Sequence, residues 1–72
     1  MKGETKEERF TRIARRRVQR VLDSIRSLSQ CSNKRMYKWT DEQLGRMWTA
    51  IDKEVETCKG NFEKTEPEEF TL

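Results

Sequence analysis

Tyr37-Lys38-Trp39-Thr40-Asp41-Glu42-Gln43-Leu44 reads as the start signal of a helix and divides the chain into a basic and an acidic half. Thr40 followed three residues later by Gln43 is a capping box, in which each side chain can bond the other residue's backbone N–H. Trp39 and Leu44 occupy the flanking positions that form a hydrophobic staple. Asp41 and Glu42 set negative charge against the positive end of the helix dipole. Any one of these signals is common by chance, but all of them precede a periodic apolar run.

That run is the second of two. Leu44, Trp48, Ile51, Val55, Cys58 and Phe62 step by 4, 3, 4, 3 and 4, a heptad seam widened by Met47. It predicts a helix from residue 41 to about 59, or on to Phe62, with Gly60-Asn61 as its C-cap. Trp48 and Phe62 are then core residues. Glu42–Arg46 and Glu56–Lys59 are expected as surface pairs. Gly45 lies off the seam, either as a point of close approach or as a tolerated surface glycine.

Upstream, a longer pattern predicts a first helix over about residues 6–29, with Glu4, Glu7 and Glu8 at its start. Ala14, Val18, Val21, Ile25 and Leu28 step by 4, 3, 4 and 3, with Phe10, Ile13 and Leu22 broadening the apolar arc. The opposite face is arginine. Arg9, Arg12, Arg16 and Arg20 are spaced 3, 4 and 4 apart and stack along one stripe, flanked by Arg15, Arg17 and Arg26. Glu8, four residues before Arg12, is expected to offset part of the repulsion.

Between the helices, Ser29-Gln30-Cys31-Ser32-Asn33 collects side chains that compete with helical hydrogen bonds, which puts the connection at about residues 30–39. Two amphipathic helices joined this way predict an all-α fold, an antiparallel two-helix hairpin over residues 1–62. Residues 63–72, broken by Pro67, read as an acidic disordered tail. Cys31 near the closed end and Cys58 well into the second helix would lie some ~25 Å apart at 1.5 Å per residue. A disulfide needs Cα atoms closer than about 7 Å, so no intrachain bridge is expected.

Composition limits the rest. In 72 residues, 32% are hydrophobic and 40% charged, enough for only a thin core. That shortage predicts further burial, most simply by homodimerisation of two hairpins into a four-helix bundle. No apolar run has membrane-spanning length and no charged-then-apolar leader is present, which predicts a cytoplasmic protein with no membrane partner.

Net charge is +3, but it is polarised. Residues 1–38 carry twelve basic against four acidic side chains, or +8, and residues 39–72 carry four against nine, or −5. A basic surface of this kind suits a polyanion.

Catalytic chemistry has little to work with. There is no histidine, no glycine-rich phosphate loop and no nucleophile beside a base, so a non-enzyme is expected, with no catalytic residue, metal or cofactor. Two distant cysteines do not supply a zinc site. The arginine face is the candidate binding surface, because a planar guanidinium matches phosphate oxygens and the stripe can track a phosphate backbone. Lys34, Arg35 and Lys38 assist, and Met36, Tyr37 and Trp39 among them could stack unpaired bases. The stronger alternative there is structural, with Trp39 serving as the staple and Tyr37 closing the end of the bundle. The competing readings are a solvated or self-paired face, an acidic protein partner, and a helix lying on an anionic membrane. The apolar side of the first helix, needed for the hairpin, argues against the last.

The runs Phe10-Thr11-Arg12-Ile13-Ala14-Arg15-Arg16-Arg17-Val18, Ile25-Arg26-Ser27-Leu28-Ser29 and Cys31-Ser32-Asn33-Lys34-Arg35-Met36-Tyr37-Lys38-Trp39-Thr40 add a resemblance. The chain looks like small uncharacterised arginine-rich helical proteins of Gram-positive mobile elements over about residues 8–62. The resemblance implies a prophage, plasmid or conjugative element, where small proteins regulate genes or block host defences, and it brings no site residue with it. The expectation is thus an accessory or regulatory protein binding DNA or RNA. Its alternative is an interaction module that inhibits a host nucleoprotein complex, for example an anti-CRISPR or other anti-defence protein acting on a nuclease.

Overall fold

A computed structural model describes residues 3–64. It contains α1 (Lys6–Ser29), a single 3-10 turn (Gln30–Ser32) and α2 (Asp41–Glu63), with no strand among the described residues. The chain divides into two units between Lys38 and Trp39, the same bond at which its charge changes sign.

In the first unit, α1 begins at a capping box of its own. Thr5 is extended, with φ −78° and ψ 169°, and its hydroxyl accepts from the Glu8 backbone N–H at 3.0 Å. The Glu8 carboxylate accepts from the Thr5 N–H at 2.9 Å. Those two bonds satisfy donors that the first helical turn leaves open. At the other end, Ser32 Oγ donates to the Ser29 carbonyl at 2.7 Å, so the connection starts with the side-chain competition its composition foretells. Asn33 then shapes the next turn. Its side-chain oxygen accepts from the Arg35 N–H at 2.9 Å, and its carbonyl accepts from the N–H groups of Met36 and Tyr37.

In the second unit, the box read from the sequence is present. The Gln43 N–H reaches Thr40 Oγ1 at 3.1 Å, and the Thr40 N–H reaches Gln43 Oε1 at 2.8 Å. Trp39 and Leu44, the staple positions, are both half-buried, as are Met47 and Ile51 on the next turns. The expected end of α2 needs correcting. The helix runs through Gly60 and Asn61 to Glu63, no described glycine has positive φ, and the Lys64 N–H bonds the Gly60 carbonyl at 3.1 Å. A glycine C-cap requires the left-handed conformation, and Gly60 keeps the helical one, at the modest entropic cost glycine carries there. Glu63 therefore belongs to α2, and the remainder of the expected tail, from residue 65, lies outside the described residues.

No described residue is buried. In α1 the apolar face remains open, with Val18 and Val21 each 55% exposed and Ile25 51% exposed. Trp48 and Phe62, expected in a core, are 49% and 70% exposed. The reason is geometric: one amphipathic helix cannot cover its own stripe and needs another layer against it. Among the described residues, no helix is long and apolar enough to cross a membrane.

Candidate functional site

At about 100° per residue, Arg9, Arg12, Arg16 and Arg20 fall within an arc of roughly 80° along some ~16 Å of helix. Val18, Val21 and Ile25 occupy the opposite side of α1. The structure thus brings the four stripe arginines onto one face, and Arg15 and Arg17 onto its two flanks. A shallow open surface on one flank is lined by Thr11, Arg12, Arg15, Arg16 and Gln19, with Glu7 and Glu8 at its N-terminal end.

The ion pairs on this face are not those the spacing suggested. Glu8 is occupied by its bond to the Thr5 N–H, and Arg12 pairs with Glu4 instead. Arg12 Nε donates to Glu4 Oε2 at 2.8 Å and Arg12 Nη2 donates to Glu4 Oε1 at 2.9 Å, a two-pronged contact. Arg9 Nε lies 3.8 Å from the same Oε1. The hydrogen bonds from Arg12 hold the Glu4 carboxyl below its ordinary range and outweigh an opposing desolvation, with the Arg12 charge adding a smaller push in the same direction as the bonds. Reciprocally, the bond to Glu4 raises the Arg12 guanidinium.

Sequence reading missed Glu4 as a partner because helical pairing rules look three or four residues along, and this contact spans eight. A signal was available. Glu4 and Arg9 stand at the two positions that Trp39 and Leu44 fill at α2. The staple of α1 is therefore ionic where that of α2 is apolar.

The stripe is otherwise unopposed. Arg26 pairs with Asp23 at 3.3 Å, and Gln19 donates to the same carboxylate oxygen at 2.9 Å. Arg15, Arg16, Arg17 and Arg20 have no carboxylate within 4.0 Å among the described residues. Lys34, Arg35 and Lys38 form a separate exposed group on the turn that Asn33 organises, with Tyr37 50% exposed between them.

No protein family, curated protein or solved structure matches this chain. What the site can do rests on its own chemistry. Guanidinium groups ranged along one helix edge can receive a row of oxyanions. Among the described residues, no cluster of His, Cys, Asp or Glu could hold a metal ion, and Cys31 and Cys58 are free and exposed.

In α2, Glu56–Lys59 is present at 3.7 Å, whereas Glu42 and Arg46 form no ion pair among the described residues. Gly45 stands in open space, with no atom within 4 Å of where a Cβ would sit. It is a surface glycine and not a point of close approach.

Proposed function

We propose that this chain is a non-enzymatic accessory or regulatory protein that docks on nucleic-acid phosphates through the arginine face of α1. The observation that carries the proposal is the set Arg15, Arg16, Arg17 and Arg20, which share one helix and lack carboxylate partners among the described residues. Like charges one turn apart destabilise an isolated helix, so an anion that neutralises them offsets a standing repulsion. The basic turn at Lys34, Arg35 and Lys38 would add phosphate contacts, and Tyr37, exposed beside it, would stack on a base. Nothing in the stripe distinguishes one base from another, so the binding is backbone-directed. A regulatory or anti-defence setting in a mobile element, which the sequence resemblance implies, belongs to the same reading.

The open apolar faces of α1 and α2 support a second part of the reading. We take them to pack as an antiparallel hairpin that pairs with another copy into a four-helix bundle, leaving the arginine faces outward. Two stripes on one dimer would double the phosphate contacts.

Fluorescence anisotropy with labelled DNA and RNA duplexes tests the docking. Affinity should fall steeply between about 50 and 200 mM salt, with a log–log slope near −3 to −4 if four arginines per site engage duplex DNA. Arg16→Glu combined with Arg20→Glu should abolish binding while leaving helicity in place. Failure to bind either polymer at low salt would sink the proposal and turn attention to an acidic protein partner.

A further inference from the structure

Glu4 is the only described carboxylate within 4.0 Å of the stripe arginines. It lies just before the extended N-cap Thr5 and reaches over the first two turns to Arg12 and Arg9. Its two oxygens are received by Nε and Nη2 of Arg12, the side-on fork that a guanidinium also presents to two phosphate oxygens. A second guanidinium, that of Arg9, approaches one of those oxygens.

We infer that Arg9 and Arg12 form a phosphate seat that the carboxylate of Glu4 occupies in the free chain and yields to a backbone phosphate on binding. The inference rests on the docking proposed above and adds to it an internal competitor. Three features suit Glu4 to that role. The pair is solvent-exposed, and exposed pairs are held weakly. A polyanion also gains from counterion release, which a single carboxylate does not. Finally, the capping box that starts α1 uses only Thr5 and Glu8, so both of its bonds stay in place when Glu4 leaves. The strap can therefore swing away without unravelling the helix.

A charge-matched comparison on the full chain isolates the effect. Glu4→Gln and Glu7→Gln each raise net charge by one unit, but the Glu7 carboxylate makes no ion pair among the described residues. With a fluorescein-labelled short DNA duplex and the matching RNA duplex, Glu4→Gln should bind about two- to five-fold more tightly than Glu7→Gln at low salt, the range an exposed pair supports. Its salt slope should stay close to that of Glu7→Gln, because the same phosphates are neutralised in both once Glu4 has yielded. In an Arg9→Ala, Arg12→Ala background the advantage of Glu4→Gln should vanish. Equal gains from the two glutamate variants, or a gain that survives loss of both arginines, would overturn the seat while leaving the docking intact. Absence of binding by wild type and both glutamate variants would overturn the docking and the seat together.

Discussion

Thr5 and Glu8 bond each other's backbone reciprocally, and Glu8 is thereby withdrawn from the arginine stripe it was spaced to neutralise. The same arrangement recurs at Thr40 and Gln43, where a neutral amide does the work of the carboxylate. The two helices are thus started by the same device, with different consequences for the face beside it.

Removing either hydroxyl should therefore loosen one helix at its start. Thr5→Ala and Thr40→Ala should each cost about 1 kcal/mol of helix stability, and Thr→Ser at either position should restore most of it. Amide exchange in the first turn of the affected helix is the measurement. Protection that is unchanged in Thr5→Ala would show that the box at α1 does not hold in solution.

The Glu4–Arg12 contact gives a pH dependence whose sign is fixed. The carboxyl of Glu4 is held below its ordinary value of 4.5, chiefly by its hydrogen bonds to Arg12. A group depressed in the folded state contributes stability above its unfolded value and loses it as pH falls through the lowered one. The strap is therefore fully present at neutral pH and released only in acid, below about the ordinary carboxylate range. Carbon-detected titration of the Glu4 side chain should show the low value, and Arg12→Ala should return it toward 4.5. No movement on that substitution would assign the depression to another cause.

What the sequence makes legible here is what is local. The bounds of α1 follow from its apolar steps and the breakers after Leu28, and the box at Thr40 follows from four consecutive residues. Glu4 escaped because the fold-back of a pre-helical residue depends on where the N-cap falls, and the acids at residues 4, 7 and 8 read as one undifferentiated run. Gly60-Asn61 misled because the same pair can end a helix or ride within it, and the choice depends on whether the chain beyond continues to pay for helical order. The stripe itself was plain from spacing. Periodicity shows that Val21 and Ile25 need a cover without showing what supplies it.

Each unpaired stripe arginine should carry its own share of salt dependence. Arg16→Ala and Arg20→Ala should each make the log–log slope for duplex DNA shallower by about 0.9 and weaken binding similarly across sequences. Arg26→Ala should change it less, because Arg26 already pairs with Asp23 at 3.3 Å. A large loss from Arg26→Ala with none from Arg16→Ala would move the contact surface off the stripe.

Assembly through the apolar faces should make stability depend on concentration, because a partner that binds only the folded form stabilises it by mass action. Thermal midpoints of the wild type should rise with protein concentration, and sedimentation equilibrium should return a dimer. Ile25→Asp, placing a charge within the α1 seam, should give a monomer of reduced helicity. A wild-type monomer with a cooperative, concentration-independent transition would refute the bundle.

Gly60 separates the two accounts of how α2 ends. Were it a left-handed C-cap, adding a Cβ would strain the backbone, and Gly60→Ala would destabilise the helix. In the structure Gly60 is helical, its φ is not positive, and a Cβ there would meet nothing within 4 Å. Gly60→Ala should therefore stabilise α2 by about 0.5–1 kcal/mol. Gly45, equally open and also helical, should respond in the same direction and serves as the internal standard. Helix content by circular dichroism, with amide exchange at residues 60–63, reads both. A gain at Gly45 with a loss at Gly60 would place the end of α2 back at residue 59, and gains at both would place it at Glu63.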